Sequence, residues 1–260
     1  MTRVITHRGL DPARGEGYFA ESSREAFEDQ LKRGFGIEFD PRADLLVAHD
    51  DLSRTTKNGC HTPTIEEVAQ LIEVLQAPDA ISGMHLKHRV QEREMIDTIL
   101  PYFKDVDSSK FFIFDATFET ASYIKDEYPA MLLAASIAHS YDIERYNDAT
   151  GKTLYTVDEV LKHKELFNWV MLDEWDRTDK NGGTKALYTQ EIFDTLRAAG
   201  LKVCVISPEL HATSPGLLGG EAHQDAKDHA TLIERIQEIL ALRPNTICTD
   251  YPDEVRSLLD

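Results

Sequence analysis

The chain has 260 residues, 42% of them hydrophobic and 28% charged, a composition typical of a soluble globular protein. Its 46 Asp and Glu residues outnumber its 28 Lys and Arg residues and give a formal net charge of −18 at pH 7. Because nucleic acid binding requires clustered cationic side chains, this charge argues against a nucleic acid partner. The sequence also lacks an apolar run of the roughly 20 residues that a membrane helix needs. Strand-like residues begin too early for a signal peptide, so we expect no membrane partner and a cytoplasmic location, while the oligomeric state is not indicated.

The three cysteines, Cys60, Cys204 and Cys248, show no CxxC spacing. Their odd number and their spacing argue against a disulfide framework and against a zinc finger. Cys204 and Cys248 lie in apolar, strand-like segments, so we expect them to be small buried hydrophobic residues.

Segments that suit strands alternate along the chain with segments that suit helices. The predicted strands are 3–9, 36–42 with an extension at 45–50, 81–88, 111–116, 131–138, 168–175, 201–207 and 246–251. The predicted helices are 22–34, 62–75, 91–104, 118–128, 156–167, 189–200, 230–240 and a short helix at the C-terminus. Eight such units predict an α/β fold with one domain over residues 1–260, a closed (β/α)8 TIM barrel. An open doubly wound sheet is the alternative, but no GxGxxG motif follows the first strand to favour it.

Ionisable side chains cluster at the C-terminal ends of the first four predicted strands. They are His7, Arg8, Glu38, Asp40, His49, His85, Lys87 and Asp115. Active sites of (β/α)8 barrels lie at this end of the strands. Glu38 and Asp40 are two residues apart and so point to one face of their strand, where two buried carboxylates repel each other. The sequence therefore predicts an active site at this end that contains a compensating cation.

Five segments resemble, in order, the motifs of the glycerophosphodiester phosphodiesterase family. They are THRG at 6–9, ESSREAF at 21–27, GIEFD at 36–40, VAHDDLSRTT at 47–56 and TDYPDEV at 249–255. The resemblance covers the first quarter of the chain and its last dozen residues, and the middle matches only as a barrel. It implies a TIM-barrel hydrolase that acts on a small glycerophosphodiester or a related sugar phosphodiester with one divalent metal ion.

The resemblance also implies which residues carry out catalysis and which bind the phosphate. His7 and His49 match the histidine pair that serves as general acid and base, and their ordinary pKa near 6.5 suits both roles at neutral pH. Arg8 matches an arginine that contacts the phosphate, and Lys87 matches a lysine that lies near it.

For the metal site, Glu38 and Asp40 match two of the family's ligands. His85 stands where the family has glutamate as the third ligand. Oxygen ligands suit Mg²⁺, Ca²⁺ or Mn²⁺, and an imidazole ligand would also admit Zn²⁺ or Co²⁺. Alternatively, His85 contacts the phosphate and Asp115 completes the metal shell. Asp115 could also cap the helix that follows it.

Two further carboxylates and one long segment are candidates for substrate contacts. Glu21 matches the glutamate of the family's E-N-T motif, although Ser22 replaces the usual asparagine. Glu174 could contact substrate or be a charge at the barrel rim. Residues 207–229 could form a lid or a specificity loop, in which we expect three solvated histidines, His211, His223 and His229.

Three functions remain open on the sequence. The first is metal-dependent hydrolysis of a phosphodiester. The second is formation of a cyclic phosphate by intramolecular attack, as in the related phospholyases similar to sphingomyelinase D. The third is a barrel that binds a ligand without catalysis, which the replacement of glutamate by His85 suggests and the retained histidines and carboxylates oppose.

Overall fold

Eight parallel strands close into a barrel in the computed structural model, which describes residues 2–49, 52–87, 90–179, 181–210 and 223–260. The described strands are β1 (Arg3–His7), β2 (Gly36–Phe39), β3 (Ser82–His85), β4 (Phe111–Phe114), β5 (Leu132–Ile137), β6 (Leu154–Tyr155), β7 (Trp169–Leu172), β8 (Lys202–Ile206) and β9 (Thr246–Thr249). Pairing runs from β1 through β5, then β7, β8 and β9, and β1 pairs with β9 to close the ring. The short β6 pairs with the C-terminal half of β5 and is not a barrel strand. The predicted TIM barrel is confirmed.

Helices follow the barrel strands and surround the sheet. The described α-helices are α1 (Arg24–Lys32), α2 (Leu52–Thr55), α3 (Ile65–Leu75), α4 (Arg93–Ile99), α5 (Phe118–Glu127), α6 (Ser140–Tyr146), α7 (Val157–Lys162), α8 (Gln190–Ala198), α9 (His229–Ala241) and α10 (Pro252–Ser257). Side-chain caps mark where several of them begin, with Thr64 and Thr156 each forming a capping box with a glutamate three residues later. None of the helices in the described ranges is long and apolar enough to span a membrane.

The predicted extension of the second strand at 45–50 is wrong for the residues that the structure describes. Proline at position 41 has no N–H to continue the ladder, and a turn at Arg42–Leu45, with Leu45 at φ 62°, reverses the chain. Residues 45–49 therefore form isolated antiparallel bridges, Pro41 with Val47 and Leu46 with Thr64, instead of a strand. Helices α2 and α6 and strand β6 were not predicted.

The core has two layers that follow the alternation of side chains along each strand. Residues such as Phe39 and Leu86 belong to the large cluster between sheet and helices. A second cluster fills the barrel interior, where the rings of Phe112 and Trp169 stack with centroids 5.2 Å apart. Cys204 and Cys248 are fully buried in this interior cluster, as predicted. Apolar packing therefore fills the interior and leaves its C-terminal end to polar side chains.

Candidate active site

The last residue of β1, His7, is held by a carboxylate from the neighbouring strand. Pairing of Thr6 with Thr249 places His7 beside Asp250, which follows β9. The Nδ1 atom of His7 lies 2.9 Å from Oδ1 of Asp250, and the two residues are only 5% and 1% exposed. Because a carboxylate accepts a hydrogen bond, the proton of a neutral imidazole sits on Nδ1, and Nε2 becomes the atom that can exchange a proton with a ligand.

Behind Asp250 lies a second buried carboxylate, Glu209, in the segment after β8. Its Oε1 accepts hydrogen bonds from Oγ1 of Thr249 at 2.6 Å and from the backbone N–H of Asp250 at 3.0 Å. The hydroxyl of Ser207 donates to its other oxygen. Burial and the neighbouring charge of Asp250 raise the pKa of Glu209 to about 7.

Sequence reasoning named neither Asp250 nor Glu209 as a functional residue. Asp250 lies within the TDYP segment that carries the family resemblance, so a signal for it was present. Glu209 had no comparable signal, because a glutamate in a polar segment after a strand is ordinarily solvated.

The carboxylates of Glu38 on β2 and of Asp40 directly after it repel each other, as their spacing predicted, and their pKa values shift in opposite directions. Burial and the charge of Asp40 raise the pKa of Glu38 to about 8. Burial also raises the pKa of Asp40, but the positive charges of Lys87 and His85 outweigh it and hold that pKa well below its usual range. Without a further cation, the pair therefore favours one proton on Glu38.

On the next strand, β3, His85 lies among three carboxylates. Its Nδ1 atom is 2.9 Å from Oδ1 of Asp40 and 3.7 Å from Oε1 of Glu38. Its Nε2 atom is 2.7 Å from Oδ2 of Asp115, the residue after β4. Burial opposes protonation of the imidazole, but Asp115 and Asp40 outweigh it and raise the pKa of His85 to about 10. Capping of α5 by Asp115 is excluded, because Thr117 is its N-cap and accepts from the N–H of Thr120.

Two cationic side chains approach Asp40 from other directions. Nε of Arg8 is 3.8 Å from Oδ2 of Asp40, and Nζ of Lys87 is 3.4 Å from Oδ1. Arg8 has a left-handed backbone with φ 54°, which turns its N–H toward Oε2 of Glu38 at 3.2 Å. Arg8 and Lys87 could therefore contact an anionic ligand bound at the C-terminal end of the barrel.

The loop after β2 brings His49 to the same site although it is not a strand. The N–H of Ala48 donates to the carbonyl of Asp40 at 3.0 Å. Nζ of Lys87 donates to the carbonyl of His49, also at 3.0 Å. His49 is thus anchored beside Asp40 and Lys87 through its backbone.

The donor set of Glu38, Asp40 and His85 fits a divalent metal ion. One ligand atom from each residue lies within 4.8 Å of the other two. Two carboxylates and one imidazole nitrogen form a common donor set for divalent ions. Asp115 lies against the far edge of the His85 ring and is not in this group.

A second group in the described ranges with metal-ligand chemistry consists of Glu174, His223 and Asp225, all buried. Here Arg235 supplies the compensating charge, since Nη2 is 2.8 Å from Glu174 and Nε is 3.2 Å from Asp225. The other oxygen of Glu174 accepts from the N–H of Leu187 at 2.6 Å, so this carboxylate anchors the segment after β7. This group is therefore a structural ion-pair cluster.

The prediction that His223 is solvated is wrong, because it is 2% exposed and its Nδ1 accepts from the N–H of Asp225 at 3.0 Å. His229 is exposed and pairs with Glu254 at 2.8 Å. His211 and most of the proposed lid, residues 211–222, lie outside the described residues.

A cavity of about 640 Å³ opens beside the site between residues 10–21 and 54–58. Glu21 lies between this cavity and the active site, because its carboxylate contacts Nη1 of Arg8 at 3.7 Å and also pairs with Arg54, which lines the cavity. The side chain of Asn58 donates to the carbonyls of Glu16 and Tyr18 at 3.2 and 2.8 Å and ties the two walls together. The cavity is thus a pre-formed space next to Arg8 at the C-terminal end of the barrel.

Solved structures with this fold include several glycerophosphodiester phosphodiesterases. A glycerophosphoryl diester phosphodiesterase from Parabacteroides distasonis ATCC 8503 is 18% identical, with a TM-score of 0.61 over 100% of this chain and 86% of that one. A glycerophosphodiester phosphodiesterase from the same organism is 17% identical, with a TM-score of 0.60 over 99% and 96%. One from Agrobacterium tumefaciens str. C58 is 17% identical, with a TM-score of 0.56 over 98% and 99%. No model of a protein family and no curated protein sequence matches the chain. At these identities, the comparisons establish the shared barrel fold.

Proposed function

We propose that this protein is a metal-dependent phosphodiesterase of the glycerophosphodiester phosphodiesterase type. The observation that supports it is the convergence, at one end of a barrel with that fold, of a carboxylate-held histidine, a three-residue metal-ligand group and two cationic side chains. Its substrate is a small glycerophosphodiester or a related sugar phosphodiester. The proposal includes neither a nucleic acid nor a membrane as a partner. It keeps the cytoplasmic location and the single domain that the sequence predicts. With such a substrate, the enzyme would act in lipid and glycerol metabolism.

Glu38, Asp40 and His85 hold the divalent ion in this proposal. When bound, such an ion neutralises charge on the phosphoryl oxygens and makes the phosphorus more electrophilic. Mg²⁺, Ca²⁺ and Mn²⁺ suit the two carboxylates, and Zn²⁺ or Co²⁺ would suit the imidazole.

Arg8 and Lys87 bind the phosphate. Both flank the buried carboxylate of Asp40, which orients them without neutralising both charges. A phosphodiester carries one negative charge that grows on the equatorial oxygens as the nucleophile attacks, so fixed cations there stabilise the transition state. Glu21 orients the Arg8 guanidinium from its other side.

His7 and His49 transfer the protons. Hydrolysis requires a base to take a proton from the attacking oxygen and an acid to give one to the departing alkoxide. Asp250 fixes Nε2 of His7 as the atom that exchanges the proton and stabilises the imidazolium that forms. His49, held beside Asp40 and Lys87 through the backbone, is the second histidine of the pair.

The test is a panel of phosphodiesters assayed with chelator-treated protein after addition of Mg²⁺, Ca²⁺, Mn²⁺ or Zn²⁺. We expect turnover of a glycerophosphodiester or sugar phosphodiester with at least one ion, and none with chelator alone. His7→Ala and His49→Ala should each lower turnover by about 10²–10⁴-fold, whereas His61→Ala, at an exposed histidine paired with Glu25, should not. Absence of turnover with every ion and diester would refute the proposed function and favour a ligand-binding barrel.

A further inference from the structure

Both nitrogens of the His85 ring face carboxylates, and the two sides of the ring differ. Nε2 meets a single oxygen, Oδ2 of Asp115, at 2.7 Å. Nδ1 faces two carboxylates, with Asp40 at 2.9 Å and Glu38 at 3.7 Å. A neutral imidazole carries one N–H, and the other nitrogen presents a lone pair.

Asp115 is built into its position more firmly than an ordinary residue at the end of a strand. Its backbone is left-handed, with φ 60°, a conformation that is uncommon outside glycine and that aspartate adopts more readily than most residues. Its N–H donates to Oγ of Ser136 at 3.2 Å, and the same hydroxyl bonds to Oδ1 of its carboxylate. The side chain of Gln91 donates to its carbonyl at 2.7 Å. Oδ2 is thereby left to receive the Nε2–H of His85.

The plane of the imidazole is also set. The ring of Phe114 stacks on His85 with centroids 4.8 Å apart and an interplanar angle of 13°. Stacking and the Asp115 hydrogen bond together fix the rotation of the ring, so Nδ1 is directed at the carboxylates of β2.

We propose that Asp115 is a positioning residue that places its hydrogen bond on Nε2 of His85 and so makes Nδ1 the third metal ligand. A lone pair directed at two carboxylates is unfavourable unless a cation lies between them, and a carboxylate–histidine–metal arrangement supplies that cation. The inference rests on the metal group of the proposed function. It goes further by assigning Nδ1 as the ligand atom and Asp115 as the hydrogen-bond partner of His85. It also implies that the site prefers Mn²⁺, Co²⁺ and Zn²⁺, which accept imidazole ligands, over Ca²⁺.

The competing arrangement is an imidazolium in which both nitrogens of His85 carry protons. Such a cation would pair with Asp40 and Asp115 at once and would take the place of the metal ion. The two arrangements differ in metal binding and in the protonation of Nδ1, and both properties can be measured without an activity assay.

The experiment titrates Mn²⁺ and Zn²⁺ alone into the chelator-treated full chain by calorimetry. Nitrogen-15 NMR of the histidine side chains is recorded before and after metal addition. We expect Nδ1 of His85 to shift on metal binding while Nε2 stays protonated. Affinity should fall about 10–100-fold in Asp115→Ala and less in Asp115→Asn, whose oxygen can still accept from Nε2–H. Glu119→Gln, at an exposed carboxylate two residues beyond the cap of α5, is the matched control and should bind metal normally.

Unchanged affinity and unchanged His85 signals in a folded Asp115 variant would overturn the positioning role. Retention of both imidazole protons at saturating metal, or no metal binding at all, would overturn the ligand assignment in favour of the imidazolium. If Asp115→Ala does not fold, the same measurements on Asp115→Asn and Ser136→Ala decide the question. Metal binding that depends on Asp115 in a protein without phosphodiesterase activity would refute the proposed function and leave this inference standing.

Discussion

At the scale of single residues, one buried carboxylate sets the chemistry of a histidine. Asp250 is 1% exposed and accepts from Nδ1 of His7, and Glu209 holds the backbone N–H of Asp250 from behind. Glu209 after β8, Asp250 after β9 and His7 at the end of β1 are thus linked in series, with Glu209 bound to the backbone of Asp250 and the Asp250 carboxylate bound to Nδ1 of His7.

Replacement of Asp250 by asparagine tests this series of contacts. The amide of the new side chain would offer an N–H to Nδ1 of His7, which favours the opposite tautomer and removes the proton-accepting lone pair from Nε2. We expect kcat to fall by about 10²–10⁴-fold, with the limb of the pH–rate profile that reports His7 displaced. Circular dichroism should show the wild-type fold. The control Asp148→Asn changes an exposed carboxylate and should be silent; a kcat within twofold of wild type in Asp250→Asn would contradict the role.

Glu209 makes a prediction about stability and pH. Its pKa is raised from an ordinary 4.5 to about 7, so the folded protein holds this proton more tightly than the unfolded chain. The resulting stabilisation is fully present below about pH 4.5 and is lost as the pH rises through about 7, a change on the order of 3 kcal/mol. Urea unfolding between pH 4.5 and 8 should therefore show a shallower decline in Glu209→Gln than in wild type. The exposed Glu144→Gln should retain the wild-type slope, and identical slopes in all three proteins would show that Glu209 titrates normally.

The sequence predicts the site residues that belong to a short motif near a strand end. It does not predict the side chains that contact them from distant parts of the chain. His7, Arg8, Glu38 and Asp40 follow from short local patterns. The contact between His7 and Asp250 spans 243 positions and follows only from the pairing of β1 with β9. His85 and Asp115 were both in the predicted cluster, but their direct contact comes from the structure.

At the scale of elements, the neighbouring strands β2 and β3 approach each other closely where they begin. Gly36 begins β2, and a Cβ built on it would lie 1.7 Å from the carbonyl oxygen of Ile81, just before β3. No side chain can be accommodated there unless the backbone of β2 or β3 moves. Glu38 lies two residues further along β2, so a shift of this strand would move Glu38 as well.

Gly36→Ala should therefore destabilise the protein and disturb the metal-ligand group together. Because the clash is with backbone, we expect a loss of at least about 3 kcal/mol in the free energy of unfolding, at the upper end of overpacking effects. Urea unfolding measures this loss. Gly17→Ala is the control, since a Cβ at Gly17 meets nothing within 4 Å. Equal stability of the two variants would mean that β2 and β3 are further apart than described.

The loops that wall the cavity carry a prediction about substrate recognition. Phe19, 40% exposed, and Lys57 line this space next to Arg8 and Glu21, where the alcohol portion of a bound diester would extend. Phe19→Ala and Lys57→Ala should each raise KM about five- to tenfold through loss of roughly 1 kcal/mol of contact, with kcat unchanged. Tyr102→Ala removes an aromatic ring of similar exposure, 38%, that is not among the cavity-lining residues. If its kinetics match those of the two cavity variants, the cavity does not bind the substrate.

Elements with a strong apolar pattern were predicted, and elements without one were missed. The barrel strands are apolar on both faces, and their segments stand out from the helical ones. Helix α6 has seven residues with one of them buried, and β6 has two residues, so neither has an apolar period to detect. The apolar pattern at 45–50 predicts a strand, but Pro41 and the turn after it redirect the chain.

At the scale of the whole molecule, a chain with a net charge of −18 is proposed to bind an anion. The site meets this requirement locally, because Arg8, Lys87 and the proposed metal ion concentrate positive charge at one end of the barrel. The remaining acidic residues are distributed mostly over the helical surface, where water screens them. The net charge of the chain therefore reflects its surface, whereas the order of the strands determines where Arg8, Lys87 and the metal-ligand residues come together.

Phosphorus-31 NMR of a turnover reaction in ¹⁸O-labelled water tests the central claim most directly. The metal-loaded protein is incubated with the phosphodiester that it turns over fastest, and His7→Ala is run in parallel. The account predicts a phosphomonoester that carries one solvent oxygen, formed by wild type with metal and not by wild type with chelator or by His7→Ala. A cyclic phosphodiester without solvent oxygen, or a labelled monoester formed equally well without metal, would contradict metal-dependent hydrolysis at this site.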